Sequence, residues 1–181
     1  MDPAYVSAWI GALSAGLVAL AVYLGQREQA RIAATMSLFS EFNTVEWMNR
    51  RQAAYDFLYR CPDPKLLQMR DMEKPPLSKA EREVVWALLA FYARLAIMVE
   101  AKVISPRLVL PAFGEVFVFW WEFSFKHLRD ATHTSELEHI SQLQNWLSRR
   151  AVSEAKHADF EGWASEGKRS RTVALTDLKT A

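Results

Sequence analysis

The 181 residues carry a net charge of +1, which leaves no basic footprint for nucleic acid, and a single cysteine, which excludes an internal disulfide. Half the residues are hydrophobic (51%) and 12% are aromatic, enough for one well-filled core but not for two comfortable domains.

Residues 4–25, AYVSAWIGALSAGLVALAVYLG, contain no charge. At helical rise they reach roughly 33 Å, close to the hydrocarbon thickness of a bilayer. Tyr5 and Trp9 near the start and Tyr23 near the end suit the headgroup zone. Asp2 is the only charge before the run, whereas Arg27 and Arg31 follow it. This asymmetry predicts residues 1–3 outside and everything after Gly25 in the cytoplasm. A cleaved signal peptide would need a basic start, a shorter apolar core and a small-x-small site, and Gly25-Gln26-Arg27 is a poor one. A retained anchor is the better reading. Within it, Ser7, Gly11, Ala15 and Ala19 recur every four residues, beside a second row of Ala8, Ala12 and Gly16. Such rows let two helix backbones approach closely in lipid, so self-association is expected.

No Gly or Pro interrupts residues 26–42, so the helix should continue as a stalk, with Ile32, Met36, Phe39 and Phe42 on one apolar face. Asn43 and Glu46 have capping-box spacing and open a second helix to about residue 59. Residues 61–77 hold four prolines and form the long connection. Ser78 and Glu81 make a capping box for an apolar helix over 79–102, and Ser105-Pro106 starts the next. Pro111 is expected to break or kink that helix, with a second portion over 112–130 carrying a Glu122–Lys126 pair. Thr134 caps a last helix over 135–164, and residues 166–181 read as a basic, flexible tail. The apolar runs 84–99 and 109–125 contain charges, and both are better read as core helices than as spans. The whole is all-α: a transmembrane helix (4–25), a stalk (26–42) and a cytoplasmic bundle of about four to five helices (43–165).

The order of segments carries a resemblance. A span leads through an arginine-bearing stalk into SLFSEFNTVEWMNRRQAAYDFLY; after the proline-rich loop come VVWALLAFYARLAIMVEAKVISPRLVL and FVFWWEFSFKHLRD. This resembles uncharacterised bacterial single-span membrane proteins with a small helical cytosolic domain of unknown function. The likeness rests on Glu41, Phe42, Glu46, Arg50 and Arg51, then on Lys102, Val103, Ile104 and Trp120 or Trp121. Tyr92 and Arg94 stand where such proteins often carry an acidic residue. The resemblance implies architecture and location, with no activity to transfer.

Glu136-x-x-His139 and Glu154-x-x-His157 imitate the paired motifs of di-iron bundles, but 18 residues separate them on one expected helix, about 27 Å at helical rise. His127, His133 and His139 cross a helix junction without a ligand geometry. No phosphate loop or nucleophile elbow is visible, and Cys61 reads as an ordinary loop thiol. No metal, cofactor or catalysis is therefore expected. The functional expectation is a single-pass protein of the bacterial inner (plasma) membrane whose helical cytoplasmic domain is an interaction or assembly module, its partners being lipids, further copies of itself and a cytosolic protein. Arg27, Arg31, Arg50 and Arg51 would meet anionic headgroups. The alternative is a small oligomeric channel or membrane-perturbing effector, with Ser7, Gly11 and Ser14 lining a pore that the cytoplasmic domain gates.

Overall fold

The first apolar run and the stalk fold as one uninterrupted 40-residue helix, α1 (Pro3–Phe42). The computed structural model describes residues 3–61, 78–131 and 134–180, and the side chains of 13–61, 78–129 and 134–177. The side chains of Tyr5, Ser7, Trp9, Gly11 and Ala12, the connection 62–77 and His133 lie outside the described residues. The described elements are all helical: α2 (Val45–Arg60), α3 (Lys79–Glu100), α4 (Pro106–Trp120), a π-helical turn (Trp121–Phe125), α5 (Lys126–Ala131), α6 (Ser135–Ser153) and α7 (His157–Thr180).

Along α1 two regimes meet. Leu13, Leu17, Val18, Leu20, Val22, Tyr23 and Leu24 are all more than half exposed, on every side of the helix. From Glu28 onward the helix docks on the bundle. Ser105 Oγ donates to Glu28 Oε1 (3.0 Å), Arg31 Nε donates to the Lys102 carbonyl (2.8 Å), and the Ser105 N–H donates to Thr35 Oγ1 (2.8 Å). Thr35 and Ser105 are both buried, so these bonds satisfy groups that would otherwise be desolvated without partners. The docked face is Thr35, Leu38 and Phe42, at three- and four-residue steps. Ile32 and Met36, expected on that face, are instead exposed. Thr35 can open the buried stripe because its hydroxyl has two partners: it also donates to the Arg31 carbonyl at 2.8 Å.

Caps decide the next elements. Thr44, not Asn43, caps α2 by accepting from the Trp47 N–H, while the Asn43 amide donates to the Phe39 carbonyl and closes α1. The Ser78–Glu81 capping box forms as expected, with both reciprocal bonds present. Glu81 also accepts from Arg60 at 3.0 Å, tying the end of α2 to the start of α3. Arg94, inside the apolar run of α3, stays at the surface and pairs with Glu41 at 2.6 Å.

Pro111 does not break its helix. It sits exposed within α4, and the irregularity comes later, in the π turn, where Trp121, Phe123, Ser124 and Phe125 all become buried. The expected Glu122–Lys126 pair follows at 3.6 Å. Among the described residues, the segment Pro106–Arg129 is long and apolar enough to cross a membrane, and its most apolar stretch is 67% buried in the bundle.

The last expected helix is in fact two. Thr134 caps α6 as expected, but the chain turns at Glu154–Lys156. Ala155 takes a left-handed φ of 56°, and the Lys156 N–H reaches back to the Ala151 carbonyl, the bond of a Schellman closure made without glycine. Beyond it, the expected tail is helical to Thr180. Phe160, Ala164, Gly167 and Ala174 form its buried stripe, and Arg171 donates to the Phe123 carbonyl at 3.0 Å. The core itself is an aromatic stack: Phe42 lies on Phe91 (centroids 4.5 Å apart), and Tyr92 meets Phe117 edge-on at 5.1 Å.

Candidate functional site

Where α2, α4 and α7 converge, they leave a half-open cleft of about 490 Å³. This lies within the usual range of small-molecule sites, roughly 300–1,000 Å³. Its walls are aromatic: Tyr55 from α2, Phe119 and Trp120 from α4, and Trp163 from α7. Tyr55 and Phe119 are both stacked against Phe123, which fixes that wall from behind.

Three charged residues join these rings. Arg51 lies with its guanidinium carbon 4.1 Å from the Phe42 ring centre. Among the described residues it has no hydrogen bond or ion pair. Burial holds its pKa below the ordinary arginine value, although nearby Tyr92 acts the other way. Phe42 occupies one face of the guanidinium, so the donors at its edge remain for the cleft. Glu115 is exposed on α4 and likewise has no ion pair among the described residues. Glu166, on α7, pairs with Arg169.

Gly167 lets α7 come close enough to α4 to form the cleft wall, and Gly114 serves as its comparison. A Cβ on Gly167 would stand 2.6 Å from the Phe119 carbonyl oxygen and 3.0 Å from Glu122 Cβ. At Gly114 the same atom would meet the end of the Leu110 side chain at 2.8 Å. Backbone cannot yield as a leucine tip can. Gly167→Ala is therefore expected to destabilise by about 1–3 kcal/mol, outweighing a helix-propensity gain of about 1 kcal/mol, and Gly114→Ala to stay within about 1 kcal/mol of the parent. Denaturant unfolding of both variants checks this; equal losses would remove the argument for close approach.

The residues picked out in the sequence are scattered. Ala15, Gly16, Ala19 and Tyr23 are exposed on α1, as is Arg27. Arg31 is engaged with Lys102 and, at 3.7 Å, Glu28; Arg50 pairs with Glu46 at 2.6 Å and lies over Trp47. Of the four arginines picked out, only Arg51 belongs to the cleft, in a role its doublet with Arg50 did not suggest. Glu154 is taken by Arg150 at 2.5 Å, and no group of three His, Cys, Asp or Glu among the described residues is placed to hold a metal. Burial pushes the Cys61 thiol up, the wrong direction for an activated nucleophile.

No curated protein and no solved structure matches this chain. A family model does: the one described as Domain of unknown function (DUF4760) matches residues 9–152, from the first turns of α1 to the last turn of α6. That is well over half of the sequence, and the chain belongs to this family of domains of unknown function.

Proposed function

We propose that this is a single-pass membrane protein of the bacterial inner membrane whose helical cytoplasmic domain works by binding rather than by catalysis. The observation that carries the reading is the division of α1. Its large apolar side chains between residues 13 and 24 are exposed on all sides, a surface suited to lipid, while the same helix docks on the bundle from Glu28 to Phe42. An isolated rod of this kind is unfavourable in water, since exposed apolar area of that extent calls for a partner. Arg27, exposed one turn beyond Tyr23, is the arginine best placed for anionic headgroups. The direct test is fractionation of the full chain beside a form beginning at Gln26. The full chain is expected in the membrane pellet after alkaline extraction and the shortened one in the supernatant; a full chain released by alkali would end the reading.

In the same reading the span self-associates through Ser7, Gly11, Ala15 and Ala19 or through Ala8, Ala12 and Gly16. A Cβ on Gly16 meets nothing within 4 Å, so a larger residue there leaves the single chain undisturbed. Replacing Gly11 and Gly16 with Leu is expected to abolish a crosslinking ladder in membranes. A ladder that survives the double change means the small-residue rows are not the interface.

A further inference from the structure

The charges of the aromatic cleft are arranged in an unusual way. Arg51 and Glu115 line one cavity with opposite signs, yet they do not pair with each other, and neither has another ion-pair partner among the described residues. A half-buried guanidinium without acceptors carries a desolvation cost that an incoming carboxylate would offset, because charge-assisted bonds are the strong ones. A carboxylate at the rim of an aromatic wall favours a cation in turn, through both its own charge and the ring faces. Tyr55, Phe119, Trp120 and Trp163 line the same cavity, surface for an apolar body.

We propose that the cleft is a binding site for a small zwitterion with an apolar or aromatic body, the chemistry of a free α-amino acid. Its carboxylate sits at Arg51, its ammonium group faces Glu115, and its side chain lies on the aromatic wall. A simple anion would satisfy Arg51 but meet Glu115 unfavourably, and a simple cation would do the reverse. The pair therefore selects for a molecule carrying both charges. Glu166 is already held by Arg169 and is not needed for the recognition.

The test uses the full-length chain in nanodiscs and isothermal titration calorimetry with three probes of one shape: tryptophan, tryptamine and indoleacetate. Tryptophan is expected to bind saturably and more tightly than either singly charged analogue. Arg51→Gln should weaken tryptophan about tenfold or more and leave tryptamine nearly unchanged. Glu115→Gln, at an exposed position where folding is not at risk, should weaken tryptophan roughly two- to fivefold and leave indoleacetate equal or tighter. Unfolding curves for both variants establish that the domain is intact. No saturable tryptophan binding, or indoleacetate binding as tightly as tryptophan with no effect of Glu115→Gln, would overturn the proposal. The membrane reading is untouched by either result, since it rests on α1 and is read by fractionation.

Discussion

Phe42→Ala is expected to cost the domain about 3–5 kcal/mol, a large share of the 5–15 kcal/mol that holds most domains folded. Phe42 is the last residue of α1, 1% exposed, and its ring is in contact with Trp47, Phe91, Tyr92 and Phe113. Truncation removes the ring at the centre of this stack and leaves a cavity walled by side chains of three other helices, α2, α3 and α4. It also withdraws the platform beneath Arg51. Met36→Ala and Ile32→Ala, at positions 50% and 41% exposed, should stay within about 0.5 kcal/mol. Urea unfolding in detergent, followed by tryptophan fluorescence, separates the cases. If Met36→Ala is as damaging as Phe42→Ala, the stalk reaches Phe42 along the row of Ile32 and Met36 that periodicity alone suggested and not along Thr35 and Leu38.

That contrast shows what the sequence could and could not reveal. Ile32, Met36, Phe39 and Phe42 form a regular apolar row, and hydrophobicity alone ranks it above a row passing through a threonine. The threonine is buried because the Ser105 backbone, 70 residues away, needs an acceptor. Local signals read well where the chemistry is itself local. The Ser78–Glu81 box, the Thr134 cap and the Glu122–Lys126 pair all involve groups within four residues of each other. The helix end at Ala155 was not legible, whereas the one at Lys102 was marked from outside by the Ser105-Pro106 start that follows it. Lys102 and Ala155 both take positive φ, a conformation that their side chains disfavour by roughly 1–2 kcal/mol, so nothing in their identity announces a stop. Gly167 misled in the opposite direction. It falls at the head of the run 166–181 that reads as a flexible tail, but it is the contact point that brings α7 against Phe119. The cleft was invisible for a similar reason. Its residues come from α2, α4 and α7, and Arg51 differs from Arg50 only in having Phe42 beneath it.

Tyr92 makes a second large effect accessible, through pH. Its side chain is fully buried, and its hydroxyl has no hydrogen-bond partner among the described residues. Burial raises its pKa well above the ordinary 10.0, with the positive charge of Arg51 offsetting only part of the rise. The sign follows from proton counting. Below about pH 10 both folded and unfolded chains hold the phenolic proton, so this group contributes no slope. Above it the unfolded chain releases the proton while the folded chain keeps it, and stability falls by about 1.4 kcal/mol per pH unit, or roughly 2–3 kcal/mol by pH 12. Tyr92→Phe removes that loss. It also removes a buried hydroxyl without a partner, so at neutral pH the variant should be about 1 kcal/mol more stable than the parent. Other tyrosines titrate in the same range, among them Tyr59, raised chiefly by its hydrogen bond to Asp177. The informative quantity is therefore the stability difference between the two proteins, which cancels their common titrations. That difference should be flat up to about pH 10 and then widen steadily in favour of the phenylalanine. A difference that stays flat throughout would mean that the hydroxyl is solvated in the folded protein, and that the aromatic stack behind Arg51 admits water.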